Sequence, residues 1–498
     1  MRLVPGSSWA KARAMPRGLA LRLIRQAVAA VYDDETADAG RRRLAMRLDQ
    51  AIVRLITTET RLLEVEAGLA PEHESHMERA DALLGASDPR NSHPLDVLAE
   101  RARVLGERLK DASPDTADEI WGLLRDIAGT DHAGRQALEQ AIAETRDSGV
   151  AGPHDSAGEA AKAEARPLDV DGFDTYLADR DWAAPRPRAA EVEMVVGGQS
   201  KHTYLVSVDP QEGPEAWRGG VVVRMDTGYF DNSVLDEYAL MTRLFQAGLP
   251  VAEPLLLEAD KAAFGQPFMV SRRLDGKAAG MILDAVGASS AEAFALAAAL
   301  GRLHSVPLDR LVDSPPTDLP QVVEESRRKI EELWRDTTLT ESVAVELGHL
   351  WIREHAHELA GQQPVMVHGD ASLHNILVDR GRLTGLLDWE FAHVGHPAED
   401  LAYCRPAVER VADWDAFLQR YRECGGREVS ERELNFFGAF CQLRNASLCA
   451  QVMDNVVAGR ITTFDMFVTS VDTFSRMEAV LAQQLHAAFT ADRAAAAQ

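Results

Sequence analysis

Residues 364–400, PVMVHGDASLHNILVDRGRLTGLLDWEFAHVGHPAED, interleave short apolar runs with clusters of polar residues. The run 365–367 delivers His368, Gly369 and Asp370, and a second run, 376–378, begins directly after Asn375. A two-residue turn signal at Arg380-Gly381 leads into a third run, 383–387, which ends on Asp388, Trp389 and Glu390. The pattern predicts strand, loop, strand, turn, strand, with Asp370, Asn375 and Asp388 at the strand ends.

An Asp, an Asn five residues later and an Asp thirteen beyond that suit phosphoryl transfer from a nucleotide. That chemistry needs one carboxylate to orient the attacking hydroxyl, and hard oxygen ligands for a magnesium ion that bridges the phosphates. Asp370 fits the first role, and Asn375 and Asp388 the second. Magnesium keeps several waters and takes much of its shell from phosphate, so one carboxylate and one amide suffice as protein ligands. Singly, each residue is equally well a polar end of a solvated hairpin. Only the ordered set points to chemistry.

HGDASLHN followed by LLDWE resembles the aminoglycoside phosphotransferase family, small-molecule kinases with a protein-kinase-like fold. The resemblance covers residues 168–480. DWEFAHVGHPAEDLAY is most similar to the branch associated with acyl-CoA dehydrogenases, whose usual pattern has GDP where this chain has Gly395-His396-Pro397. The resemblance implies an α+β, bilobal protein-kinase-like fold. Its small β-rich, nucleotide-binding lobe would occupy residues 168–275 and its large helical lobe, with the catalytic loop, residues 276–498. It also implies ATP or another nucleoside triphosphate with Mg2+, and Asp400 as a brace for the loop.

The small lobe follows in order. Strand-like residues 191–196 and 203–208 flank a glycine-containing turn, in which Gly198 and Ser200 can approach phosphate oxygens through backbone amides and a hydroxyl. A plain hairpin loop would look the same. Residues 221–224 form a strand ending on Arg224, and a helix at 233–246 carries Glu237. In kinase-like folds a basic residue here holds the nucleotide phosphates and a helix carboxylate braces it. The alternative for Arg224 and Glu237 is a surface ion pair. Residues 251–257 and 267–274 read as two more strands, with Met269, Val270 and Ser271 where a hinge would meet the base.

Ahead of the kinase-like part, apolar residues recur at helical spacing at Leu21, Ile24, Val28 and Val31, at Leu48, Ile52, Leu55 and Leu62, at Leu95, Leu98, Ala102 and Leu105, and from Trp121. They predict an all-α bundle over residues 1–146 that could receive a protein partner, and 147–167 reads as a flexible linker. His93, His132 and Glu74 lack metal-ligand spacing. The formal charge of −25 argues against nucleic acid as a partner. No run of eighteen apolar residues occurs, so no membrane insertion is expected. The N-terminal stretch lacks the apolar core of a secretory signal, and Cys404, Cys424, Cys441 and Cys449 show no CxxC spacing, so a cytoplasmic location with reduced thiols is expected.

The sequence therefore predicts an ATP-dependent kinase for a small-molecule hydroxyl. The branch resemblance implies a hydroxyacyl-CoA or related alcohol as acceptor; the alternative is an aminoglycoside or another antibiotic or amino alcohol. A reading of a different class is a non-catalytic nucleotide-binding scaffold for an acyl-CoA enzyme, against which the intact Asp370, Asn375 and Asp388 stand. No GxSxG elbow supports a serine hydrolase.

Overall fold

In the computed structural model the described residues are 72, 74–84, 94–109, 112–145, 168–182, 185–195, 201–209, 213–228, 233–280, 288–337, 342–458, 460 and 464–496. The bundle helices expected at 21–31 and 48–62, the linker at 147–167, and Gly198 and Ser200 lie outside them. The chain divides into two compact units, one of Met1–Gly158, Arg328–Glu354 and Gln442–Gln498, the other of Glu159–Arg327 and His355–Cys441.

In chain order the elements are helices α1 (Pro94–Arg108), α2 (Pro114–Thr145) and α3 (Val170–Ala178), strands β1 (Ala189–Val195), β2 (Lys201–Val208) and β3 (Val221–Asp226), helix α4 (Val234–Gln246), and strands β4 (Pro254–Glu258), β5 (Phe268–Arg272) and β6 (Lys277–Ala278). Then come helices α5 (Ser290–Ser305), α6 (Leu319–Arg335) and α7 (Val343–His355), and strands β7 (Val365–Val367), β8 (Ile376–Asp379), β9 (Arg382–Leu386) and β10 (His393–Gly395). Helices α8 (Pro397–Val408), α9 (Trp414–Glu423), α10 (Glu431–Val457) and α11 (Phe464–Ala496) close the chain. Among the described residues no helix is long and apolar enough to cross a membrane.

The second unit has the α+β, bilobal arrangement that the sequence predicts. Its small lobe is an antiparallel sheet in the order β1-β2-β3-β5-β4. Side chains alternate across a strand, and here one face goes to the core. Tyr204, Val206 and Val208 of β2, Val221, Val223 and Met225 of β3, and Phe268 and Val270 of β5 bury against Phe173 and Leu177 of α3, with Trp217 and Phe264. Asp169 caps α3, its carboxylate accepting from Gly172 N at 2.7 Å. The opposite face carries the polar positions. Lys201 pairs with Asp226 across β2 and β3, Thr203 with Arg224, and Arg224 in turn with Met269 of β5.

The end of β3 is tied to the start of α4. Asp226 accepts from Ser233 Oγ at 2.9 Å and from Val234 N at 3.0 Å, while Ser233 caps the helix. That places Glu237, one turn into α4, over the polar face. In the large lobe β8 and β9 form a hairpin whose turn residues, Arg380 and Gly381, both have positive φ, 48° and 75°. This is the geometry that matches strand twist in a two-residue turn. The sequence shows no sign of β10, which pairs antiparallel with β7 and covers it.

In the first unit Leu98, Ala102 and Leu105 of α1 are buried, as are Ile120, Leu123, Leu124 and Ile127 of α2. Trp121 of α2 meets Phe489 of α11 at a ring separation of 6.0 Å, and Trp334 of α6 stacks on Phe474 at 6.3 Å. The resemblance places residues 442–498 in the large helical lobe, whereas the contacts group them with residues of the N-terminal unit. Apolar spacing shows that a helix has a buried face and is silent on what covers it.

Candidate active site

The HGD loop is anchored before any of its polar groups can act. β7 is buried along its whole length and delivers His368. Gly369 follows at φ 79°, where a Cβ would lie 2.2 Å from the Phe391 carbonyl oxygen, so glycine is required there. His368 donates through Nε2 to the Leu387 carbonyl at 2.8 Å and accepts the Asp370 amide on Nδ1 at 3.2 Å. One neutral imidazole therefore links the loop to the strand end that precedes Asp388.

Behind the loop lies a buried carboxylate. Asp400 accepts the amides of His368 and Gly369, each at 2.8 Å, and its Oδ2 is 3.0 Å from His304 Nε2. Since a carboxylate only accepts, His304 donates through Nε2, and its Nδ1, 2.9 Å from the Tyr421 oxygen, accepts the phenol proton. Burial pushes the Asp400 carboxyl up, but the hydrogen bonds from the His304 ring and the His368 amide outweigh it and hold the group below its ordinary range. His304 at the end of α5 reads from sequence as a helix-dipole partner; in the fold it is a link in this chain.

Asp370 and Asn375 meet directly. The Asn375 amide nitrogen donates to the Asp370 carbonyl at 2.9 Å and to its Oδ2 at 2.8 Å, which leaves the amide oxygen as the end able to face a cation. The Leu387 amide donates to the Asn375 carbonyl at 2.8 Å and brings Asp388 beside them. Asp388 adopts φ 64°, a left-handed conformation that is costly for a residue with a Cβ and persists only where its surroundings hold it. Its Oδ1 accepts from Arg224 Nη2 at 2.8 Å, while Arg224 Nη1 donates to Glu237. Five residues, Arg224 of β3, Glu237 of α4, Asp370 and Asn375 of the loop and Asp388 after the hairpin, thus converge on one cleft.

Its electrostatics are dominated by carboxylates. Lys201 Nζ lies 3.4 Å from Asp226 Oδ1 and 3.9 Å from Glu390 Oε2, and its side chain is 3% exposed. Lys201 and Arg224 therefore face Asp226, Glu237, Asp388 and Glu390. Burial, joined by the charges of Asp388 and Glu390, pushes the Glu237 carboxyl above its usual range against the pull of Arg224, and Glu237 Oε2 is buried without a hydrogen bond. Burial works against the Arg224 charge too, but Glu237 and Asp388 outweigh it. His374 Nε2 is 3.9 Å from Asp370 Oδ2, and its burial lowers the imidazole pKa.

Lys201, Asp226 and Glu390 have no role that the sequence alone announces. Period two along β3 offers a signal for one of them, since Asp226 follows Arg224 by two residues and shares its face. His396, which stands where the resembling branch has Asp, caps α8. Its Nδ1 accepts the Ala398 amide at 3.1 Å, its Nε2 is 2.7 Å from Gln362 Oε1, and its ring stacks on Phe437 at 4.9 Å. The cap is kept by a neutral ring.

A β-rich lobe presenting a cation and its helix carboxylate to a His-Gly-Asp loop and an Asp-Trp-Glu turn defines a kinase-like phosphotransferase class. Residues 191–434 match the phosphotransferase enzyme family, APH. Acyl-CoA dehydrogenase family member 11 of Gallus gallus is 25% identical over 326 residues, 59% of this chain and 40% of the relative. The Mus musculus protein of that name is 25% identical over 262 residues, 47% of this chain and 33% of the relative. The chain thus spans 40% or less of these curated relatives' length. Among solved structures, a Ralstonia eutropha protein described as an aminoglycoside phosphotransferase superposes with a TM-score of 0.47 at 21% identity, over 64% of this chain and 98% of that one. The GDP complex of wild-type aminoglycoside 2'-phosphotransferase-IIIa gives 0.43 at 17%, over 62% and 97%.

Proposed function

We propose that the protein is a magnesium-dependent kinase that transfers a phosphoryl group from ATP or another nucleoside triphosphate to a hydroxyl of a small molecule. The observation that carries this is the connected sequence Asp370, Asn375, Leu387, Asp388, Arg224, joined by hydrogen bonds of 2.8–2.9 Å and, between Leu387 and Asp388, by the peptide bond. Asp370 orients the acceptor hydroxyl and takes its proton late, since a loose transition state asks more for alignment than for a strong base. Asn375 restrains that carboxylate. Arg224 neutralises phosphate charge and Glu237 braces it. Gly198 and Ser200 are assigned to phosphate contact on the sequence alone.

Among the described residues no cluster of three or more His, Cys, Asp or Glu side chains is arranged to hold a metal, but magnesium on a nucleotide needs fewer protein ligands. The donor set fits it: hard oxygens only, carboxylates in excess of cations, and one carboxylate oxygen buried without a partner. Asn375 and Asp388 would hold the ion, which when bound neutralises charge on the transferring phosphates.

Hydroxyacyl-CoAs or related alcohols are the acceptor class we favour, because the curated matches carry an acyl-CoA dehydrogenase name. Four free thiols, two of them buried, accord with a reducing, cytoplasmic setting. The test is magnesium-dependent ATP consumption by wild type and Asp370→Ala against hydroxyacyl-CoAs, aminoglycosides and amino alcohols. Stimulation by an acyl-CoA alcohol that vanishes in the variant supports the whole proposal. Stimulation only by aminoglycosides overturns the acceptor, and absence of nucleotide binding overturns the kinase.

A further inference from the structure

The two cations on the cleft face are arranged in parallel. Arg224 joins Glu237 of the small lobe to Asp388 of the turn, and Lys201 joins Asp226 of the small lobe to Glu390 of the same turn. The register explains the repeat. Thr203 lies opposite Arg224 and Lys201 opposite Asp226, so the two basic side chains start two residues apart on one sheet face, as Asp388 and Glu390 do on the turn. Lys201 and Glu390 are the more enclosed pair, with side chains 3% and 8% exposed against 16% and 34% for Arg224 and Asp388.

Enclosure matters because the two pairs meet different competitors. Phosphate oxygens that enter the cleft compete with Asp388 for the Arg224 guanidinium, a planar fork suited to phosphate. Asp388 then loses the hydrogen bond that steadies it in its left-handed conformation. One flank of the turn stays fixed through the Leu387 amide on Asn375. The other flank needs a holder that phosphate does not reach, and the Lys201 ammonium, enclosed between two carboxylates, meets that need.

Resting on the kinase reading above, we propose that Lys201 is a positioning residue that clamps the Asp388-Trp389-Glu390 turn to the small-lobe sheet through Glu390. It keeps Asp388 aimed at the magnesium–nucleotide complex once Arg224 has turned to the phosphates. Lys201 touches neither phosphate nor metal in this arrangement. Its effect is transmitted through the turn.

The experiment is calorimetric titration of the full-length protein with ATP, in magnesium and in excess EDTA, for wild type, Lys201→Met, Lys201→Arg and Glu390→Gln, with thermal melts alongside. Supporting groups behind a metal ligand typically contribute 10–100-fold to affinity. Lys201→Met should weaken magnesium-ATP binding by at least about tenfold and leave metal-free ATP binding within about twofold, with Lys201→Arg restoring most of the loss. Glu390→Gln, nearly isosteric, should reproduce the loss from the other end of the clamp and serves alone if Lys201→Met does not fold. Magnesium-ATP affinity unchanged in both variants overturns the clamp and leaves the kinase reading standing. Equal losses with and without magnesium overturn it in favour of direct phosphate contact by Lys201. Wild type that binds no nucleotide overturns both readings.

Discussion

His304 Nε2 lies 3.0 Å from Asp400 Oδ2, and the same carboxylate carries the backbone amides of His368 and Gly369. A residue from α5 therefore sets the position of the loop that presents Asp370 through a shared carboxylate. His304→Ala removes one charge-assisted hydrogen bond from a fully buried carboxylate and should cost about 2 kcal/mol of stability. Asp400→Asn keeps the shape but replaces an acceptor oxygen by a donor facing two N–H groups. It should lower kcat by about a hundredfold, the scale of a 1 Å misplacement at a reacting group, while the KM for nucleotide stays within threefold. Steady-state kinetics with both substrates varied checks the split.

Glu237→Gln leaves Arg224 with Asp388 as its only hydrogen-bonded carboxylate partner. The guanidinium should then pair more firmly with Asp388 and be less available to phosphate. The KM for magnesium-ATP should rise about tenfold, equivalent to some 1.4 kcal/mol, with a smaller change in kcat. Initial rates at saturating acceptor would show it.

The His396 ring titrates at about 3 rather than 6.5, because burial, helped by the positive charge of Arg427, resists its protonation. Glu433 Oε1, 3.7 Å from Nε2, is the acidic neighbour that opposes this, and Gln362 Nε2 donates to that same oxygen at 2.7 Å. The folded protein therefore binds fewer protons than the unfolded chain between about pH 3 and 6.5. The linkage slope is positive there, so stability is full above pH 6.5 and falls as pH drops through this window, by up to about 5 kcal/mol. Denaturant melts of wild type and His396→Asn between pH 4 and 7 should show a shallower slope in the variant.

Gly369→Ala places a Cβ against the Phe391 carbonyl and forces a left-handed conformation on alanine. The conformation alone costs about 1–2 kcal/mol, and the contact adds to it. The variant should melt lower and lose most of its turnover, with nucleotide affinity less affected than in Asp388→Ala. Thermal melts and nucleotide titration distinguish the two.

The parts of the site that sequence could announce are those whose spacing along the chain carries chemistry. Asp370, Asn375 and Asp388 lie within nineteen residues, and the structure joins them through the hairpin turned at Arg380-Gly381. The Arg224–Glu237 pair was legible as an order of strand and helix and is realised as an ion pair inside the cleft. Lys201 and Tyr421 were not legible. Their partners, Glu390 and His304, are more than a hundred residues away in sequence, and only strand register and helix packing bring them together. For the same reason α10 and α11 could be recognised as amphipathic without revealing which unit they complete.

The pairing of Trp121 with Phe489 ties a helix made early in translation to one made more than three hundred residues later. The unit containing α2 cannot close its apolar core until residues 464–496 have left the ribosome, whereas Arg224, Glu237, Asp370, Asn375 and Asp388 all lie within residues 159–441. Synthesis therefore leaves the apolar faces of α1 and α2 waiting through more than three hundred residues of elongation, the interval in which they are most open to aggregation or to a chaperone.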